Sequence, residues 1–238
     1  MSLPVVGRLR LPRFDGVTES GISSLPTPLQ LSNRQQDSPV KNTCNTSALT
    51  ELFGDSLTLT DNPRHDAFQW LTSQTSEGCP YDEATLIQRF SLASLYFSLN
   101  GQEWNNSDKW LSTESECSWN GISCLEKNGM ELVSVISLGN NNLSGGPIPG
   151  NIISQFDQLT ELRLSNNRIT GRIPDGLYDL NNLIVMSLSH NQLTGTISEK
   201  IGGMEKLTNA RLGSNKFSGS IPAAFADLLR LGKLEIHV

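Results

Sequence analysis

The residues of this chain that could do chemistry are four cysteines, three histidines, and a set of arginines, serines and asparagines that return at regular intervals. A structural zinc site would need thiolates paired at close spacing, with histidines completing the tetrahedron. Cys44, Cys79, Cys117 and Cys124 are not paired in that way and the histidines stand elsewhere, so no metal is expected. No GxSxG, HExxH, Walker loop or kinase signature occurs. His190, beside Asn191, reads as a surface variant before it reads as a base. An enzyme is therefore disfavoured and no cofactor is implied. The net charge is −6 and there is no run of lysine or arginine, so a nucleic-acid partner, which calls for a clustered cationic face, is not expected either. What remains is recognition. Arg163 and Arg211 could grip a carboxylate as guanidinium groups do, provided the fold brings these distant positions to one face.

The elements that would bring them together are repeated. LTELRLSNNRITGRIP from Leu159, LIVMSLSHNQLTGTIS from Leu183 and LTNARLGSNKFSGSIP from Leu207 start 24 residues apart. An earlier copy, VSVISLGNNNLSGGPIP, starts at Val133, 26 residues before Leu159, and a truncated fifth, LGKLEIHV, starts at Leu231. A fixed period in the twenties is the mark of a solenoid, in which each coil buries its apolar side against the next. Residues two apart on a short strand point the same way, so Leu162 and Leu164 face inward with Arg163 outward between them. The equivalent inward pairs are Ile136/Leu138, Met186/Leu188, Ala210/Leu212 and Leu234/Ile236. Asn141, Asn167, Asn191 and Asn215 recur just after the strands, where a buried amide must bond the backbone of adjoining coils and so form a structural ladder. Gly145, Gly171, Gly195 and Gly219 supply a tight turn. Ile148, Ile173, Ile197 and Ile221 then return to the core, followed by Ile152, Leu177, Ile201 and Phe225, and by Phe156, Leu180, Met204 and Leu228. The fold class is an α/β repeat. A single long helix fails as an alternative, because Asn and Gly at fixed positions would break it.

Outward strand positions then form columns, one residue per coil. One column is Ser137, Arg163, Ser187, Arg211 and Glu235; the next is Gly139, Ser165, Ser189, Gly213 and His237. With Glu161, the residues Ser137, Arg163, Ser165, Ser187, Ser189, Arg211 and Glu235 are the candidate ligand-binding set. Arg163 and Arg211 fall two coils apart, about 10 Å, although solvated surface arginines are the commoner outcome. A second column, Ser144, Thr170, Thr194 and Ser218, suggests an alternative: a solenoid that adsorbs to ice or polysaccharide. The ordinary explanation is that any polar residue suits the position before the turn glycine.

Upstream, residues 44–100 read as a helical extension. Ser47 is placed to cap a short helix carrying Leu49, Leu52 and Phe53 and ending at Gly54. Ala67, Phe68, Trp70 and Leu71 follow Pro63 on a second helix. Asp82 opens the clearest helix, whose Leu86, Ile87, Phe90, Ala93 and Phe97 recur at three- and four-residue spacing before Asn100-Gly101 stops it. Tyr96 and Phe97 are expected to pack rather than to cage a ligand. Residues 1–43, rich in Pro, Ser, Gly, Gln and Arg, read as a disordered leader. Met1–Phe14 has three arginines and two prolines where a signal peptide needs an unbroken apolar run, and no stretch approaches the roughly 20 apolar residues of a membrane span.

Between the helices and the repeats lies GQEWNNSDKWLSTESECSWNGISC, residues 101–124. With Trp104, Trp110, Cys117, Trp119, Gly121 and Cys124 it resembles the W…W…CxWxGxxC N-terminal cap of plant-type leucine-rich-repeat proteins, and residues 159–174 echo their LxxLxLxxNxLxGxIP repeat. NPRHDAFQWL and the helix after it resemble the helical extension of algal members. The resemblance implies a right-handed leucine-rich-repeat solenoid with a helical N-terminal cap: a cap over 101–131, and four repeats plus a truncated fifth over 132–238. It implies a disulfide between Cys117 and Cys124, whose short gap is bridgeable, and leaves the pairing of Cys44 and Cys79 open. A disulfide implies an oxidising compartment. The sequons Asn45-Thr-Ser, Asn105-Asn-Ser and Asn142-Leu-Ser agree with that. Family members are mostly secreted or held outside the cell by a membrane helix. An extracellular or cell-surface location is therefore expected, with membrane attachment only through a segment absent from this chain, which would then be a fragment. Such proteins bind peptides, steroids, carbohydrate-degrading enzymes or other repeat proteins on the concave strand face. The expected function is a non-catalytic protein- or peptide-binding module of a receptor-like or secreted protein, with a protein or peptide ligand and room for a co-receptor.

Overall fold

The computed structural model describes residues 44–74 and 78–236; the leader assigned to residues 1–43, and His237, lie outside the described residues. Three helices come first: α1 (Ser47–Phe53), α2 (Pro63–Gln74) and α3 (Glu83–Ser98). Pro63 sits at the first helical position, where its missing N–H costs nothing, and Asn62 Oδ1 accepts from Arg64 N at 3.0 Å. Asp82 caps α3 by accepting from Thr85 N at 2.8 Å. Asn100, in the left-handed region at φ 56°, turns the chain out of α3. Two expectations for α1 need correcting. Ser47 is its first helical residue, behind Thr46, which caps it with no side-chain bond. Leu52 lies on the solvent side, 46% exposed, because the buried face of this short helix is filled by Leu49 and Phe53.

Helix α3 is buried on two faces. Leu86, Phe90 and Ala93 pack with Leu49, Phe53, Leu57, Ala67 and Leu71, whereas Leu92, Leu95 and Leu99 join the core of the repeats. Between these faces Arg89 is 1% exposed. Its Nη1 meets Glu116 Oε2 at 2.9 Å and Glu114 O at 2.8 Å, its Nη2 donates to Ser112 O at 2.7 Å, and its guanidinium lies 4.6 Å from the Tyr81 ring centre. Gln88 donates to Glu116 Oε1 at 2.7 Å and accepts from Val133 N at 2.7 Å. This polar staple fixes α3 to the segment that follows. A chain of ring contacts runs beside it through Tyr96, Trp104, Trp110 and Trp119.

The repeats open on a hairpin. β1 (Ile122–Lys127) and β2 (Met130–Ser137) are antiparallel, joined by Asn128 and Gly129 at φ 54° and 77°, the left-handed pair of a tight hairpin turn. After α4 (Gly150–Ile153) comes β3 (Glu161–Arg163), and after α5 (Asp175–Tyr178) comes β4 (Val185–Ser187). β5 (Thr194–Gly195), β6 (Asn209–Arg211), β7 (Lys216–Phe217) and β8 (Lys233–Glu235) complete the order, with 3-10 turns at Glu199–Gly203 and Ala223–Asp227 where earlier coils carry α4 and α5. The main sheet runs β1-β2-β3-β4-β6-β8, parallel from β2 onward, and β5 pairs with β7 in a small second sheet.

The inward residues Ile136, Leu162, Met186 and Ala210, and Leu138, Leu164, Leu188 and Leu212, are all buried. At Gly171 both backbone and space exclude a side chain: φ is +83°, and a Cβ would come within 2.6 Å of Pro147. At the last coil the expectation fails. Ile221 is 52% and Leu234 40% exposed, because among the described residues no further coil stacks over them.

Candidate functional site

The strands align one residue per coil without slippage. Val135, Glu161, Val185, Asn209 and Lys233 pair in one row, and Ser137, Arg163, Ser187, Arg211 and Glu235 in the row two residues on. Both rows lie on the face opposite the buried leucines. The candidate residues Ser137, Glu161, Arg163, Ser165, Ser187, Ser189, Arg211 and Glu235 thus share one surface, but not in equal readiness. Ser187 and Ser189 are buried, at 5% and 9% exposure. Ser165 Oγ bonds both, at 2.6 and 3.0 Å. A small side chain set between two long ones is covered: Ser187 lies in register between Arg163 and Arg211. These serines therefore floor the face rather than reach from it, and Ser137 is the one exposed serine of the set.

The arginines do not form an empty clamp. Arg163 Nη1 is paired with Glu161, two residues back on the same face of the same strand. Glu235 is held by Lys233 Nζ at 2.7 Å, and Arg211 Nε lies 3.7 Å from its other oxygen. Arg211 Nε and Asn209 Oδ1 are buried without a hydrogen-bond partner among the described residues. Val135, Val185, Asn209 and Lys233 were absent from the candidate set, although strand alternation places them on this face two residues before the chosen column.

The asparagines lie behind the strands. Asn167 Oδ1 accepts from Asn141 N and Leu143 N at 3.0 and 2.9 Å, while its Nδ2 donates to Leu138 O at 2.8 Å. Asn191 accepts from Ile169 N at 3.0 Å and donates to Leu164 O at 2.8 Å; Asn215 accepts from Leu193 N at 3.1 Å and donates to Leu188 O at 3.0 Å. Asn141 performs the same exchange with Asn106, accepting at 2.6 Å and donating at 2.9 Å. Both bridges are formed, Cys117 with Cys124 and Cys44 with Cys79.

Residues 157–217 match the family profile described as leucine rich repeat. The ectodomain of BIR2 from Arabidopsis thaliana superposes with a TM-score of 0.57 at 31% identity, over 63% of this chain and 78% of that one. The chain is a plant-type leucine-rich-repeat protein. Among curated relatives, Receptor-like protein 50 of Arabidopsis thaliana is 33% identical over 79 residues, which is 33% of this chain and 9% of that protein. Phytosulfokine receptor 1 of Arabidopsis thaliana is 36% identical over 79 residues, 32% of this chain and 8% of its own length. The chain thus spans about a tenth of the curated relatives it matches.

Other surfaces of this leucine-rich-repeat chain offer less. The middle of its hydroxyl column is spent on holding coils together: Thr170 and Thr194 donate to Gly145 O and Gly171 O at 2.7 and 3.1 Å, while Ser144 accepts from Asn100 at 3.4 Å. A cleft of about 350 Å³ beside Tyr81, Arg89, Glu116 and Glu131 has its buried charges paired with each other. All four cysteines are in bridges, and no cluster of metal-binding side chains occurs among the described residues. His190 is exposed in a left-handed turn at φ 54°.

Proposed function

We propose that this chain is a non-catalytic recognition module of a receptor-like or secreted protein, binding a protein or an extended peptide along its strand face outside the cell. One observation carries the reading: five parallel strands in strict register put charged, amide and apolar side chains in columns on a single face. Such an array meets an extended backbone at regular intervals and supplies contact area rather than chemistry. The two bridges suit an oxidising compartment. The relatives are a receptor-like protein and a receptor by name. Adsorption to ice or polysaccharide is the weaker reading, because two of the four hydroxyls it would use, those of Thr170 and Thr194, bond backbone carbonyls.

The test is a screen of the full chain against a library of secreted peptides and proteins, followed by hydrogen-exchange footprinting of a binder. Protection centred on β3, β4, β6 and β8 supports the reading. Protection confined to residues 46–100 overturns it and moves recognition to the helices.

A further inference from the structure

The three sequons differ in what the fold has done with their amides, and this separates them. Resting on the extracellular reading above, we propose that Asn45 is the residue of this chain that carries an N-linked glycan in the folded protein. Glycan transfer joins Asn Nδ2 to the anomeric carbon of an oligosaccharide held on a lipid pyrophosphate. The anomeric C–O bond breaks, the lipid pyrophosphate leaves with the electron pair, and one amide hydrogen departs as a proton. The product amide keeps its carbonyl and a single N–H. Transfer acts on the unfolded chain, so the fold decides which modified asparagines can then take up their native places.

Asn45 is exposed just ahead of α1. Its Oδ1 accepts from Ser47 N at 3.1 Å, a bond the glycosylated amide retains, and its Nδ2 has no partner among the described residues. Asn142 is the opposite case. It is half-buried in a left-handed turn at φ 60°, and its Nδ2 donates to Glu103 O at 2.7 Å. The next residue, Leu143, is fully buried and takes its N–H to Asn167 Oδ1 at 2.9 Å. The one N–H left on a glycosylated amide is then committed to Glu103 O, and a sugar there has to leave from a half-buried turn packed against the buried Leu143. Asn105 lies between the two. It is exposed, but its Nδ2 donates to Asn140 O at 3.1 Å, and a glycan would have to leave through the cleft of about 310 Å³ that it shares with Asn140, Asn142, Asn166, Asn167 and Arg168.

The experiment directs the full chain into the secretory route of a eukaryotic cell with an added leader. The folded, secreted fraction is then treated with peptide N-glycosidase in heavy-oxygen water and mapped by mass spectrometry. The expected order of occupancy is Asn45 above Asn105 above Asn142, with the Asn142 peptide unmodified. Ser47→Ala should remove one glycan mass, and Ser144→Ala should leave glycan mass and secreted yield unchanged. Occupancy of Asn105 or Asn142 equal to or above that of Asn45 overturns the proposal. Empty sequons with both disulfides formed overturn it while leaving the extracellular reading in place; empty sequons with free thiols bring down both.

Discussion

Asn191 shows at single-residue scale what the ladder does. Its one amide closes the N–H of Ile169 and the carbonyls of Leu164 and Leu188, three groups with no access to water. Asn191→Leu keeps the branch at Cγ and removes the partners, so it should lower stability by roughly 2–5 kcal/mol with no change of fold. Denaturant midpoints would show this, and an unchanged midpoint would count against the ladder as a stabilising device. Arg89 gives the complementary case. Arg89→Met leaves Glu116 buried beside an apolar group and should cost about 3–5 kcal/mol, while the double change Arg89→Met with Glu116→Leu should recover much of that loss. A double variant no more stable than the single one would show that the guanidinium's bonds to Ser112 O and Glu114 O matter more than its charge. The ladder was legible because period fixes the position and an amide has few reasons to recur there. Arg89 was not, because an arginine on a helix reads as solvated until the segment that meets it, 23 to 27 residues on, is in place.

At the scale of elements, the two bridges close loops of different length. Cys44 and Cys79 are 35 positions apart, Cys117 and Cys124 only 7. Restricting the unfolded chain is worth about 4 kcal/mol for the longer loop and about 2.5 kcal/mol for the shorter. Cys44→Ala with Cys79→Ala should therefore destabilise more than Cys117→Ala with Cys124→Ala, as compared by urea unfolding. The reverse order would mean that the short bridge holds the first coil by native geometry rather than by chain entropy. Helices and parallel strands could be read from periodicity, but the β1–β2 hairpin went unread although Asn128-Gly129 is a strong local turn signal. Its strands depart from the repeat, so the period that aligns Leu159, Leu183 and Leu207 does not reach it. The last coil misled in the other direction. Ile221 and Leu234 have core residue types in core positions, yet burial belongs to a pair of coils, not to one.

At the scale of the molecule, five parallel strands about 4.8 Å apart make a face some 19 Å long, the reach of about six extended residues. With three paired residues per strand, about 10 Å, the face covers roughly 200 Å², well short of the roughly 800 Å² per partner of a standard interface, so charge has to do much of the selecting. The balance of charge on this face is a competition. Glu161 occupies Arg163, and Glu235, shared with Lys233, stands 3.7 Å from Arg211 Nε. An acidic peptide must displace those carboxylates, whereas a basic one would use them. For an acidic ligand, Arg163→Ser with Arg211→Ser should weaken binding roughly tenfold to a hundredfold. Glu161→Gln, by freeing Arg163, should tighten it about two- to fivefold. Raising salt should weaken the wild type and affect the double-serine variant less. A basic ligand reverses both signs. Calorimetry of the three proteins at two salt concentrations separates these cases, with circular dichroism to show that the fold is kept. If all three bind alike, neither arginine is an anchor, and footprinting then decides between the row of Val135, Val185 and Asn209 beside them and the helices.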